Sequence, residues 1–400
     1  MSRIPSILLG SLIGLALGLG AAVLAGRCTS VSQDAPVSKG QAVSEVAGSL
    51  AEVWLQYATD AQPIVGDAQA DFLNALDADT RIHVTVAKQQ VPDLHSFLRA
   101  RGLDGLGDRL RIVEVLGPVT PWTRDRALAL AGNALDLTLL VPPPPDLEWE
   151  RRRNDWSAVW QWARARGHTQ VTKLPLDFDA GDLILADDVV LFDANLLAKN
   201  TRHGFRTHAD LAKALHAWTG RPALCLGSRP GDVPRYHMAM YVMPTGSRRA
   251  LVGDPGLARA LTGPGWRPGD LSVETEQALV ADDRAEVQAQ FDRAAADLRA
   301  AGWQVARVPV VAFDDRTYVT YTNAILETRP QLSGQGARRV VYLPVYASPN
   351  GPAAAVGLDA AAVRVWQAEG YQVKPIRVAG TWRHHGTIGC LVNVLRRGRL

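Results

Sequence analysis

Near its end the chain reads His384-His385-Gly386-Thr387-Ile388-Gly389-Cys390-Leu391-Val392-Asn393-Val394. A cysteine stands between a glycine-containing turn and a short apolar run. An unpaired cysteine is often a small buried hydrophobe. The functional alternative is a nucleophile, and a nucleophile must be a thiolate, which a free thiol with a pKa of about 8.5 supplies sparingly at neutral pH. An imidazole, a helix N-terminus or a cationic substrate lowers that pKa. The choice between the two readings rests on what the preceding residues bring to this position.

Upstream, short strands and helices alternate from about residue 80. Arg81–Ala87 (RIHVTVA) alternates as a strand does; a helix follows near Leu94–Arg101, then strands at Leu110–Val115 and Leu135–Val141. A helix is expected over Asp155–Arg166, strands at Leu183–Leu185 and Val189–Phe192, a helix at Thr207–Trp218 and a strand at Pro222–Leu226. His237 opens an apolar strand. A long amphipathic helix is expected from about Thr275 to Ala301, strands at Gln304–Val311, Tyr318–Leu326 and Arg339–Tyr342, a helix at Ala360–Glu369 and a strand at Tyr371–Ile376. Val43–Tyr57 has helical periodicity. The pattern is α/β. A strand–strand–helix–strand rhythm returns about five times, each return ending near a polar residue: Asp125, Asp182, His237, Asn323 and Cys390. Residues 46–400 therefore read as one domain.

The 400-residue chain is 47% hydrophobic and 21% charged, which is the make-up of a folded protein. A net charge of +3, with no basic stripe interleaved with aromatics, gives no reason to expect nucleic acid. Arg3 precedes an uncharged, mostly apolar run from Ile4 to Gly26. Residues 1–27 read as a signal peptide or as a membrane-anchoring apolar helix. The expected location is outside the cytoplasm, periplasmic or extracellular if the segment is cleaved, attached to the membrane if it is not. Residues 28–45, rich in Ser, Asp, Gln and Pro, read as a linker. With three cysteines, Cys28, Cys225 and Cys390, a bridge between the first two would leave Cys390 free.

The ordered series Pro121-Trp122-Thr123-Arg124-Asp125, Asp179-Ala180-Gly181-Asp182, His237, Tyr321-Thr322-Asn323 and the near-terminal cysteine resembles the agmatine deiminase and bacterial peptidyl-arginine deiminase group. The likeness runs over residues 75–400. It implies the pentein fold, a five-bladed α/β propeller with pseudo-fivefold repeats around a polar centre. It also implies hydrolysis of a guanidino or amidine group: a cysteine attacks the guanidinium carbon, ammonia leaves, and water breaks the covalent adduct. Matched position by position, Cys390 is the nucleophile and His237 the general acid/base. Asp125, Asp182 and Asn323 line the substrate, Trp122 and Arg124 support the loop, and Arg124 can meet a substrate carboxylate. The chemistry agrees with these residue types. A planar cation needs carboxylates along its edges, a histidine to protonate the leaving nitrogen and a thiolate to divide one hard substitution into two steps. The implied partner is a small cationic guanidino substrate or an arginyl peptide, with no cofactor.

Three departures from the pattern stand out. Where the group has His-x-Asp this chain has His237-Met238-Ala239; Gly389 replaces a usual histidine before the cysteine; and Ala180 replaces a glycine in the acidic turn. Loss of the carboxylate at 239 leaves a buried guanidinium with one anion fewer, a cost of about 3–5 kcal/mol. At about 1.4 kcal/mol per decade this would lower turnover of arginine-like substrates by orders of magnitude. Asp179 or Asp182 compensates, or the substrate differs, or activity is lost. Asp179 reads chiefly as a loop cap. Adjacent histidines point apart in a strand, so His384 and His385 do not make a metal pair and no metal is expected. Besides the hydrolase, the readings left open are a non-catalytic pentein that binds a cationic ligand or a protein partner, and an amidinotransferase.

Overall fold

In the computed structural model the described residues run from Gly40 to Gly398, apart from 134, 146–149, 269–278, 331–335, 348–352 and 379. They belong to a unit spanning Val37–Leu400. The apolar segment 1–27 and Cys28 lie outside the described residues. Among those described, no helix is long and apolar enough to cross a membrane.

Among the described residues the strands form five separate sheets of three or four strands each. Each sheet is built the same way. An antiparallel strand pairs with a middle strand, and the middle strand pairs in parallel with a third. Leu128–Ala131, Leu137–Val141 and Thr169–Lys173 form one such unit. Ile184–Leu185, Val190–Asp193 and Ala223–Leu226 form the next. Then come Val242–Gly246, Arg249–Asp254 and Gln304–Ala312, and Ile325–Pro330, Ala337–Val345 and Gln372–Arg377. In every unit helix fills the parallel crossover, as parallel pairing demands. The helix is Glu150–Arg166 in the first of these and Ala353–Ala368 in the last. The remaining sheet joins the two ends of the described chain: Val392–Gly398 lies antiparallel to Ser49–Tyr57, which pairs in parallel with Arg81–Ala87.

The polar residue of each return stands just ahead of the antiparallel strand. Asp125 precedes Leu128, Asp182 precedes Ile184, Asn323 precedes Ile325 and Cys390 precedes Val392, while His237 precedes Val242 by one further short turn. Four of these positions lie in or beside short helical turns, at Thr123–Arg126, Ala180–Asp182, Met238–Met240 and Ile388–Leu391.

Several expectations change. Ser49–Tyr57 is a strand, not a helix: Leu50, Val53, Trp54, Leu55 and Tyr57 are all buried. A strand covered on both faces loses polar alternation, and its apolar run then fits a helical period as well. Within the stretch read as a linker, Gln41–Ala42 already pair with Leu130 and Ala131. The amphipathic helix begins at Ala285, not near 275. The strand expected over Tyr318–Leu326 is interrupted, with Tyr318–Thr320 and Ile325–Pro330 in different sheets. That interruption turns Asn323 out of any ladder. His237 opens a helical turn instead of a strand. The helices Gln62–Ala75, Ala194–Asn200 and Pro255–Thr262 have no counterpart among the expected elements.

Candidate active site

Cys390 lies in the turn Ile388–Leu391, its amide bonded to the Thr387 carbonyl at 2.9 Å. It is 3% exposed and belongs to the buried cluster that holds Met238, Met240 and Tyr241, but its sulfur also has a polar neighbour. Asn323 Nδ2 donates to Cys390 Sγ at 2.9 Å. The turns carrying these two residues are tied together, because the Asn323 carbonyl accepts from Thr387 Oγ1 at 2.7 Å and from Gly389 N at 3.3 Å. A β-carbon at 389 would sit 1.8 Å from Asn323 Oδ1. The glycine before the cysteine is thus set by the close approach of Asn323. Gly386 is enclosed likewise: a β-carbon there would lie 2.6 Å from the Trp122 ring and 3.2 Å from Cys390 Cβ.

His237 has a backbone φ of +26°, a strained conformation for a residue with a β-carbon. Its ring stacks on Tyr236 with centroids 4.0 Å apart. The opposite turn has to be bare to admit it, since a β-carbon at Gly181 would fall 2.7 Å from His237 Nδ1. Nε2 lies 3.5 Å from Asp179 Oδ2. Burial alone would lower the imidazole pKa. Hydrogen bonds with Asp179 and Cys390, and the charges of Asp182 and Asp125, outweigh it and push the value up to about 10. His237 is therefore a cation at neutral pH, held between carboxylates and the thiol.

The carboxylates differ in what they face. Asp125 is 5% exposed; one oxygen has no hydrogen-bond partner and the other lies 3.0 Å from Arg152 Nη2. Burial raises its pKa despite the Arg152 charge. Asp179 meets Arg152 at 3.4 Å, Arg126 at 3.5 Å and His237 at 3.5 Å. Burial opposes its ionisation, but the His237 hydrogen bond and the two arginines hold it well below the ordinary carboxylate range. Asp179 also caps its own turn in a reciprocal pair with Asp182. Asp182 is turned elsewhere: its Oδ2 bonds Lys199 Nζ at 2.7 Å and accepts from Asp179 N at 3.1 Å.

Of the residues singled out from sequence, Cys390, His237, Asn323, Asp125 and Trp122 thus gather at one place. Arg124 pairs with Glu45 at 2.6 Å and donates to the Leu183 carbonyl at 3.3 Å. Ala239, fully buried, accepts through its carbonyl from Thr322 Oγ1 at 3.0 Å. Arg126, Arg152 and Tyr236 join the site without belonging to any motif in the sequence. One signal exists for Arg152. Three arginines in the first turn of a helix oppose the helix dipole, and Arg151-Arg152-Arg153 open the helix Glu150–Arg166. Such placement asks for a local reason.

No family model and no curated relative matches the chain. Solved structures do. The agmatine deiminase of C. jejuni superposes with a TM-score of 0.61 at 12% identity, over 90% of this chain and 97% of that one. The agmatine deiminase of Enterococcus faecalis gives 0.59 at 12% identity, over 90% and 96%. A candidate peptidyl-arginine deiminase gives 0.61 at 13% identity, over 90% and 100%. The mixed α/β fold of this chain is the one those proteins share.

Proposed function

We propose that this chain is a thiol-dependent hydrolase of a guanidino or amidine group, with its five sheets arranged as the blades of a pentein around the Cys390 site. The observation that carries the reading is the convergence of thiol, imidazole and carboxylates: Asn323 bonds the Cys390 sulfur at 2.9 Å, Asp179 lies 3.5 Å from His237, and hydrogen bonds with Asp179 and Cys390 raise the His237 pKa. An imidazolium beside a sulfur is the arrangement that stabilises a thiolate. The thiolate attacks the planar carbon and a C–S bond forms. As the C–N bond breaks, His237 delivers its proton to the departing nitrogen, and ammonia leaves. The neutral imidazole then takes a proton from water, the hydroxide attacks the same carbon, the C–S bond breaks and the sulfur departs as thiolate. Asp125 and Asp179 stabilise the cation before attack; Asp182, bound to Lys199, holds the Asp179 turn. Asn323 positions the sulfur. Transfer of the amidino group to an amine would differ only in replacing water as the second nucleophile.

Ala239 favours a second reading, a pentein that binds a cationic ligand without turning it over, because a buried guanidinium there meets one carboxylate fewer. Ammonia release separates the two. Wild-type protein with millimolar agmatine, arginine or an arginyl peptide is expected to release ammonia from at least one, and Cys390→Ser from none. Equal release by both proteins would overturn the hydrolase reading, and silence from the whole panel would favour the binding one.

A further inference from the structure

The carboxylates assigned to the substrate cation already hold one. Arg152 Nη2 lies 3.0 Å from Asp125 Oδ2 and 3.4 Å from Asp179 Oδ1, while Nη1 lies 3.4 Å from Asp155. The side chain is 13% exposed, so its charge is largely withdrawn from water. A guanidinium between two carboxylates, one of which also touches His237, is what a bound guanidino substrate would look like beside that imidazole. Asp155, which anchors the far edge of Arg152, is itself fixed by Thr120: it accepts from the Thr120 amide and hydroxyl, both at 2.7 Å.

We propose that Arg152 is the resident occupant of the guanidinium cradle and thereby sets the specificity of the site: a substrate cation gains Asp125 and Asp179 only by displacing it. This rests on the assignment of Asp125 and Asp179 as the cradle. Charge accounting supports it. Four carboxylates, Asp125, Asp155, Asp179 and Asp182, are opposed by four cations, Arg152, Arg126, His237 and Lys199. A second guanidinium entering beside Arg152 would find no unneutralised carboxylate, and two guanidinium ions sharing one pair of acids repel each other. Simple guanidines should therefore bind the native protein weakly. A ligand able to draw Arg152 aside, for instance one carrying a carboxylate of its own for the displaced guanidinium, should bind better than one without.

The test uses methylguanidinium as probe and binding as readout, in a Cys390→Ser background so that no turnover is needed. Calorimetry compares that protein with the same protein carrying Arg152→Met, which keeps the length of the stem and removes the charge. Methylguanidinium should bind the Met variant at least tenfold more tightly. Equal or weaker binding by a folded Met variant would overturn the proposal. A second arm keeps Arg152 in place and so does not depend on the variant folding: saturating methylguanidinium, but not tetramethylammonium, should accelerate modification of Arg152 by phenylglyoxal, read by peptide mass spectrometry. An unchanged rate would also overturn it. Because neither arm involves ammonia, failure of the hydrolase reading is distinguishable: a catalytically silent chain can still show the displaced arginine, and an active one can lack it.

Discussion

Position 389 shows how narrowly single residues fix the chemistry. A methyl group there would have to share space with Asn323 Oδ1. Overpacking of this kind costs about 1–3 kcal/mol, and the part that must yield is the amide that bonds Cys390. Gly389→Ala should therefore lose most of its activity while a urea melt moves only by about that amount; full activity would mean that Asn323 does not hold the sulfur. His237 makes a prediction of a different kind. Its pKa is raised from 6.5 to about 10 on folding. A group raised in this way stabilises the fold fully below about 6.5, and that contribution is lost as pH climbs toward 10. Stability of the wild type should thus fall across that window more steeply than that of His237→Gln, and turnover should decline as the acid loses its proton near pH 10. An imidazole that titrates near 6.5 by NMR would remove both expectations.

Among the elements, those legible in sequence carry a local signal: Arg81–Ala87 is buried except at Arg81, yet His83 and Thr85 keep its alternation visible. Arg81–Ala87 and Leu110–Val115 have the expected bounds. Helices such as His208–Thr219 carry a Thr207 cap and an αL glycine at their end, both visible in sequence. Ser49–Tyr57 reads wrongly because its buried run Val53-Trp54-Leu55 carries no polar residue to mark the alternation. Tyr321–Asn323 reads as continuous strand because Tyr, Thr and neighbouring apolar residues suit a strand. Nothing local announces that Tyr318–Thr320 and Ile325–Pro330 join different sheets. The strand Val392–Gly398 is the element on which the site most depends, since Cys390 sits just before it and it pairs with Ser49–Tyr57 on both sides of an irregularity at Leu395. Leu395 on that strand is fully buried. Leu395→Ala should cost about 2–5 kcal/mol and loosen the site with it, measurable as a fall in the urea midpoint; a change below about 1 kcal/mol would show that the strand is peripheral.

At the scale of the molecule, the repeated unit is legible as rhythm even where its elements are not, and the polar residue ending each return precedes the antiparallel strand in every sheet. What the rhythm does not give is the choice among carboxylates. Asp179 and Asp182 are three residues apart in one turn, and only the direction of their side chains, one toward His237 and the other toward Lys199, tells them apart. Nor does it give Arg152, which arrives from a crossover helix, outside the series of returns. The pairing of Val392–Gly398 with Ser49–Tyr57 carries a prediction of its own. Removing Val392–Leu400 would leave Ser49–Tyr57 with an unpaired edge and an exposed apolar face. The truncated chain should aggregate or fail to show a cooperative melt, whereas a soluble, cooperatively folding product would contradict the dependence of the fold on that pairing.

The central claim is that Cys390 is a nucleophile aimed at a flat cation, and alkylation tests it whatever the substrate proves to be. Chloroacetamidine and chloroacetamide present the same reactive carbon on a cationic and a neutral plane. Peptide mass spectrometry at pH 8 should find Cys390 modified faster by the amidine than by the amide, with Cys225 showing no such preference, and the preference at Cys390 should disappear in His237→Ala. If Cys390 stays unmodified, or reacts with the two reagents at equal rates, the thiol is not poised toward a cation and the central claim is false.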